Sequence, residues 1–467
     1  MSHDDGRISA PSTLVFDEGP RGRAIKVSRS EKVAGLALCA LIFLEHLVFG
    51  GGRRQVALAF ASVYGLFLST LVAASPWARR DLVQLRALGI PALLFGVVIL
   101  VALWSLTPWV PGGPHPVWRY VTASPAAAID KSAVFVELIK LSALACVFVI
   151  AWLIGASDER ARYFIKTLLI ATGVFAVWAF VSQLVDPGFL FGAIAMPYGG
   201  TRLTASFLSA NTAGTLFGVG VVLATCAMME RLRDQAGVRW ERLVQRSAIA
   251  LTTLIFSTAC LILTASRGAM AATTVGLIVL LVWEGSARRW RLFGPAGAGL
   301  IALIVGGVAL LAVGGSQIFA RLSQGGELGR QDMAQAHWHA FLAAPWLGYG
   351  LGGFDGVNAL VTTSANYPSL WNVHAVHDVY LQWLEEAGVL GASAMFACLG
   401  ALIAVIVAGA WRRTRMTGWL IGVVAASLVF LVHGLSDFAL QVPSMATLWT
   451  CLLGLGAGLA TRRRVRS

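Results

Sequence analysis

The stretch HAVHDVYLQWLEEAGVLG, from His374 to Gly391, sets two histidines, an aspartate and two glutamates among aromatic and aliphatic residues, at the mouth of an apolar run. These residue types can move protons. An unperturbed imidazole titrates near pH ~6.5, so a single His can accept a hydroxyl proton at neutral pH. His377 and His374 are the two choices. Asp378 stands next to His377 in the chain, where a carboxylate could raise its basicity. Glu386 can orient a neighbour or bond nearby backbone. Earlier in the chain come His337 and His339. Four His plus Asp378 could be read as a metal site, but no spacing among them matches a known ligand pattern. One general base, with no metal ligand at His337, His339 or His374, is the economical reading. On a helix His374 and His377 would share a face, and His337 and His339 would not.

Arginine is the second chemical group. Arg202 lies in GGTRLTASFLSANTAG, Arg267 in TASRGAMAA, and Arg330 in GRQDMAQAHWHAFLAAPW. A guanidinium is a planar fork suited to phosphate, giving two charge-assisted hydrogen bonds at once. The same arginines could instead snorkel or pair with carboxylates such as Asp332 or Asp378. The sequence leaves both open.

What must position these groups is a membrane-spanning bundle. Of 467 residues, 57% are hydrophobic and 13% charged, with mean hydropathy +0.74. Apolar runs of about 20 residues repeat along the chain, as spanning helices require. The expected fold is all-α, a polytopic membrane protein of about twelve spans. They run near 33–50, 55–74, 87–107, 132–154, 163–185, 209–229, 247–265, 268–284, 294–314, 380–410, 418–435 and 444–461. The expected organisation is a basic tail at 1–32, nine spans over 33–314, a long loop with short helices at 315–379, three spans over 380–461, and a basic tail at 462–467. The first thirty or so residues are polar and basic with no apolar centre, so no cleavable signal peptide is expected. The first turns of the tenth run, VYLQWLEEAG, are expected in the interface, anchored by Tyr380 and Trp383.

Charge sets the orientation. With the N-terminal tail in the cytoplasm, the segments on that side hold 27 Lys and Arg. The opposite side holds eight, Lys140 lying within a span. This is a strong positive-inside bias. The net charge of +13 is then mostly a topology device and needs no nucleic-acid partner. The six Cys sit singly in apolar runs, as small buried hydrophobes. Glu137 and Lys140, three apart, read as a self-neutralising pair. Glu45 and His46, near a span end, have no assigned role.

The stretch HDVYLQWLEEAGVLG resembles the signature of the O-antigen ligase and O-antigen polymerase superfamily, through His377, Asp378, Val379, Tyr380, Leu381, Glu386 and Gly388. Asp378 departs from the family's usual Asn. RLTASFLSANTAG is similar to the family's Arg-containing loop, and SRGAMAA to its Ser-Arg-Gly turn. Arg330, Pro345, Gly348, Gly350 and Phe354 stand as in its loop segment. Ala334 departs from a frequent Trp. HGLSDFALQVPSMATLW is similar to family tails. The resemblance covers roughly residues 200–455; the first five spans match only as generic membrane helices.

The resemblance implies a metal-independent, inverting glycosyltransferase without cofactor, at the periplasmic face of the bacterial inner membrane. Its donor would be a glycan on undecaprenyl pyrophosphate. The acceptor would be a hydroxyl of lipid A-core or of a growing glycan. His377 would be the base. Arg202, Arg267 and Arg330 would hold the pyrophosphate, with Asp378, Glu386 and His374 in support. Transfer to protein is the alternative within the family, and the absence of a large domain after the last span speaks against it. From another class, a secondary transporter should show related halves with interrupted helices at matching positions. None is visible, and the polar residues gather in one loop.

The charge bias generates one expectation. A reporter fused at Arg330 should score on the non-cytoplasmic side and one fused at Arg415 should score cytoplasmic. The reverse result would overturn the topology and the functional reading with it.

Overall fold

The computed structural model describes residues 27–120, 124–196, 200–233, 240–288 and 326–462. The expected span 294–314, the long loop before residue 326 and most of both basic tails lie outside the described residues. The protein is an all-α polytopic membrane protein. Its helices are α1 (Arg29–Leu47), α2 (Arg54–Ala74), α3 (Pro76–Leu82), α4 (Gly89–Trp104), α5 (Lys131–Gly155), α6 (Asp158–Val185), α7 (Ala210–Arg233), α8 (Trp240–Leu263) and α9 (Arg267–Arg288). After the undescribed segment follow α10 (Gly326–Ala343), α11 (Phe354–Val361), α12 (Tyr367–Leu370), α13 (Val379–Arg412), α14 (Thr417–His433) and α15 (Pro443–Thr461). Among the described residues eight helical stretches are long and apolar enough to cross a membrane, α3 and α4 counting as one. Ser247–Leu263 within α8, and α14, are apolar but shorter. The only strands described are two-residue pieces, β1 (Phe189–Leu190) and β2 (Ile194–Ala195), paired antiparallel.

Small residues set the packing. Helix α7 is buried along nearly its whole length and is surrounded by α6, α8, α9 and α14. Gly214, Gly218 and Gly220 let Thr273 and Ser257 of neighbouring helices approach its axis. Gly454 and Gly458 of α15 form a small-xxx-small pair, and a methyl on either would collide with the α5 backbone. Polar ties close the helix ends. His46 bonds Ser444 at 2.8 Å and Tyr64 donates to Glu45 at 3.0 Å, so both residues without a role join α1 to its neighbours. Lys140 pairs with Glu137 at 2.6 Å. At the opposite end of the bundle Arg160 bonds Asp81 at 2.6 Å, and Arg413 bonds Asp158 at 2.6 Å. All six Cys are free.

Helix α13 is broken near its start. Gly388 has φ +61° and ψ −176°, a conformation open essentially to glycine. The segment Pro345–Gly352 fits against the break: Tyr349 N donates to Glu385 O at 2.9 Å and Val389 N to Pro345 O at 2.8 Å. Gly352 N donates to the Glu386 carboxylate at 2.8 Å. Gly348 makes the reciprocal approach, since a side chain there would meet the Glu385 and Glu386 backbone. Below α13's broken turn, His337 of α10 bonds Glu385 at 2.5 Å, both fully buried, and stacks on Phe354.

Gly388→Ala should therefore cost about 1–3 kcal/mol in backbone strain alone, and more from collision with the Trp346 backbone. A clearly lowered melting temperature in detergent is expected. Gly400→Ala, in the same helix with open space around it, should not lower it. Equal melting of the two variants would rule out the break.

Candidate functional site

Three helices begin at the candidate site, each with a side chain accepting its first free N–H groups. Ser209 Oγ accepts from Asn211 N at 3.2 Å at the start of α7. Ser266 Oγ accepts from Ala269 N at 3.4 Å at the start of α9. Asp378 Oδ1 accepts from Tyr380 N at 2.8 Å and Leu381 N at 3.0 Å at the start of α13. Each helix N-terminus adds partial positive charge, which favours a bound anion.

Side chains join these starts. Arg202 Nε donates to Thr264 O at 2.8 Å, and its Nη2 donates to Asn211 Oδ1 at 3.0 Å. Asn211 Nδ2 then donates to Asp437 Oδ1 at 3.0 Å. The same carboxylate oxygen lies 3.7 Å from His377 Nδ1, an ion-pair distance longer than an ordinary hydrogen bond. His377 also meets the edge of Phe438, with ring centroids 4.9 Å apart. The Asp437 carboxylate is fully buried, while the His377 side chain is partly exposed. Arg267 is the first residue of α9, three residues after the carbonyl that Arg202 holds, and its side chain is exposed. Its neighbour Gly268 leaves room for His433, whose Nδ1 lies 2.6 Å from Thr215 Oγ1. Arg330 is close enough to His433 for its charge to act there. Arg202 and Arg267 thus stand at the linked starts of α7 and α9.

Two expectations, the action of Asp378 on His377 and a helix face shared by His374 and His377, need correction. Asp378 does not act on His377: its carboxylate is committed to the start of α13, and the carboxylate facing the imidazole is Asp437. His374 and His377 share no helix face, because the helix begins only at Val379. His374 is highly exposed and 3.8 Å from the equally exposed Asp355, outside the chain that links His377 to Arg202. Glu386 accepts from Gly352 N and from Gln382 Nε2, at 3.0 Å, so its contacts are with the loop packed on the break. The Tyr380 hydroxyl donates to Leu431 O at 2.8 Å. His337 is buried and His339 exposed. Among the described residues no three His, Cys, Asp or Glu group as a metal site.

Asp437, Asn211, His433 and Thr215 were missed by reasoning from the sequence. Asp437 lies 226 residues from Asn211; both stand in stretches similar to the family's, but nothing in either stretch points to the other.

An apolar crevice of about 710 Å³ runs between α3, α4, α5, α13 and α15. One end is bordered by Arg79 and Arg86, and the other reaches Val379, Tyr380, Gly434 and Leu440. That second end lies beside His377 and the 434–440 loop that carries Asp437; Val379 N donates to Gly434 O at 2.9 Å.

With this geometry in view, the comparison with protein families is informative. Residues 252–396 match the O-antigen ligase family (Wzy_C). The match supports the superfamily resemblance. Over those residues the match supports an O-antigen ligase-like or polymerase-type membrane glycosyltransferase at family level. The O-antigen ligase match takes in Arg267, Arg330, His377 and Glu386 and leaves Arg202, Asn211 and Asp437 outside it. No curated protein matches the chain.

Burial raises the Asp437 pKa, but the facing His377 ring, the His433 charge and the Asn211 hydrogen bond outweigh burial and hold the carboxyl below its ordinary value. A depressed carboxyl contributes stability that is fully present above its unfolded pKa of about 4 and is lost as pH falls through the folded value. Asp437→Asn should therefore melt below wild type at pH 7, and the gap should narrow as pH drops below about 4. Identical melting at pH 7 would mean that the carboxylate does not bind its neighbours as described.

Proposed function

We propose that the protein transfers a glycan from an undecaprenyl-pyrophosphate donor to an acceptor hydroxyl, at the periplasmic face of the bacterial inner membrane. The acceptor oxygen attacks the anomeric carbon from the side opposite the pyrophosphate, inverting its configuration. The bond between that carbon and the phosphate oxygen breaks, and its electron pair leaves on the lipid pyrophosphate. His377 takes the hydroxyl proton. Asp437 orients the imidazole and stabilises its protonated form. Arg202, Arg267 and Arg330, with the N-termini of α7 and α9, stabilise the charge that develops on the leaving group. Fixed guanidinium groups can do this without a metal ion. The apolar crevice that ends beside His377 suits the donor's isoprenoid chain. The acceptor is lipid A-core or the end of a growing glycan.

The observation that carries this reading is the chain His377, Asp437, Asn211, Arg202, which connects the proposed base to a guanidinium through two part-buried hydrogen bonds and one 3.7 Å approach. A transporter has no need for a partly exposed His held by a buried carboxylate.

The test is incubation of purified protein with a lipid-pyrophosphate-linked glycan and each acceptor. Transfer is expected. His377→Ala should lower it by about 10²–10⁴-fold, the usual worth of a general base, while His374→Ala stays near wild type at equal expression. Abolition by His374→Ala with His377→Ala near normal would make the assignment of the base wrong. Absence of transfer to any acceptor, with glycan crossing the bilayer of proteoliposomes, would favour transport.

A further inference from the structure

Helix α10 has two unlike halves on its exposed side. Toward its start the exposed residues are Arg330, Gln331, Asp332, Ala334 and Gln335. Toward its end they are Trp338 and Leu342, 45% and 53% exposed, with His339 and Ala343 beside them, followed past the last turn by Trp346 at 56%. Trp338 and Leu342 are four apart on the helix and share one face, a short apolar stripe, and exposed Trp346 follows in the turn after it. The opposite face is fixed to the bundle by Met333, His337, Ala340 and Phe341, all buried, with His337 tied to Glu385. The stripe therefore cannot turn inward.

The stripe is continuous with the membrane-facing surface. Leu390 N donates to Trp346 O at 3.3 Å and Val389 N to Pro345 O at 2.8 Å. Val389 and Leu390, 40% and 37% exposed, open the apolar stretch of α13 that follows the break. One residue on, Gly391 packs on Val101 of α4. A turn beyond Val101, α4 ends in exposed Leu103 and Trp104. Trp346 and Trp104 thus stand at about one level, at the ends of two spanning helices, where aromatic side chains collect in a membrane.

We infer that the C-terminal half of α10 dips into the lipid interface on the His377 side of the bundle, held there by Trp338, Leu342 and Trp346, while its N-terminal half stands in water. Lipid is the occupant because the stripe runs without interruption into the apolar surface of α13. Three side chains are also far too small a patch for a stable dimer, which buries more than about 1,000 Å² in total. The consequence is geometric. One end of α10 is fixed at the depth of the headgroups and the other carries Arg330 toward His433. The membrane surface thereby sets the height of that arginine. The inference does not depend on the proposed reaction.

The test is a depth measurement on the full-length protein in lipid nanodiscs. Single cysteines replace Leu342 and, separately, Gln331, both exposed, and each carries an environment-sensitive fluorophore. Wild type treated identically supplies the background, five of the six native cysteines being buried. A second pair, Trp346→Cys and Asp332→Cys, repeats the comparison should either first variant melt below wild type. With nitroxide-bearing phospholipids, the probes at 342 and 346 should be quenched several-fold more than those at 331 and 332. An aqueous quencher should give the opposite order. Equal quenching across each pair would overturn the inference. So would a probe at 342 shielded from both quenchers, which would mean that protein covers the stripe.

Discussion

The backbone of α13 is broken at Gly388, and at the edge of a bilayer a break must have its freed peptide groups satisfied by protein. The segment Pro345–Gly352 does this, giving carbonyls to Val389 and Leu390 and taking the Glu385 carbonyl and Glu386 carboxylate in return. Much of the His377 side of the molecule depends on that exchange. Glu385 holds His337 and so α10. The short stretch of α13 before the break starts at Asp378 and brings His377 with it. Losing the exchange would free the loop helices and the imidazole together.

The candidate site is an arrangement of helix ends. The Arg202 side chain spans from the turn before α9 to the first turn of α7, and Asn211 passes the connection to Asp437. A buried Asp costs much in desolvation unless donors and cations face it, and here an amide and two imidazoles do. The ring of His377 faces this carboxylate at 3.7 Å. The helix N-termini and arginines supply local positive charge, and the apolar crevice reaches Val379 and Gly434 beside the loop that carries Asp437. That is a sensible layout for a reaction in which a charged group leaves attached to a hydrocarbon chain.

How much of this was legible follows from the range of each signal. Hydropathy is local, and among the described residues helices lie where spans were expected, eight stretches of them long and apolar enough to cross a membrane; 294–314 lies outside the described residues. His377 could be singled out by its proton chemistry and its place in the family signature, and the arginines by the fit of a guanidinium to phosphate. The break at Gly388 had a trace in EEAGVLG, a glycine beside two acids within an apolar run. Asp378 had a trace too: an Asp just before an apolar run is a common helix start, and giving it to His377 mistook adjacency in the chain for proximity in space. Asp437 had none, because its partners Asn211 and His377 lie in remote segments and nothing in SDFALQ points to them. The orientation of His374 toward Asp355 was equally invisible, since it is fixed by a loop path without periodicity.

Helix α7 leaves an uneven record for evolution to write. Helices such as α2 and α4 expose much of their surface to the membrane, where one apolar side chain can replace another and lipid yields. Helix α7 meets protein on every side, and at Gly214, Gly218 and Gly220 an added methyl would meet a neighbouring side chain at once. Drift in the family should therefore be fast on the outer helices and nearly arrested along α7. Enlargement there would require paired changes in α8 or α9. Asn211 rides on the first turn of this helix, so the residue that joins Asp437 to Arg202 is carried by the part of the fold least free to shift beneath it.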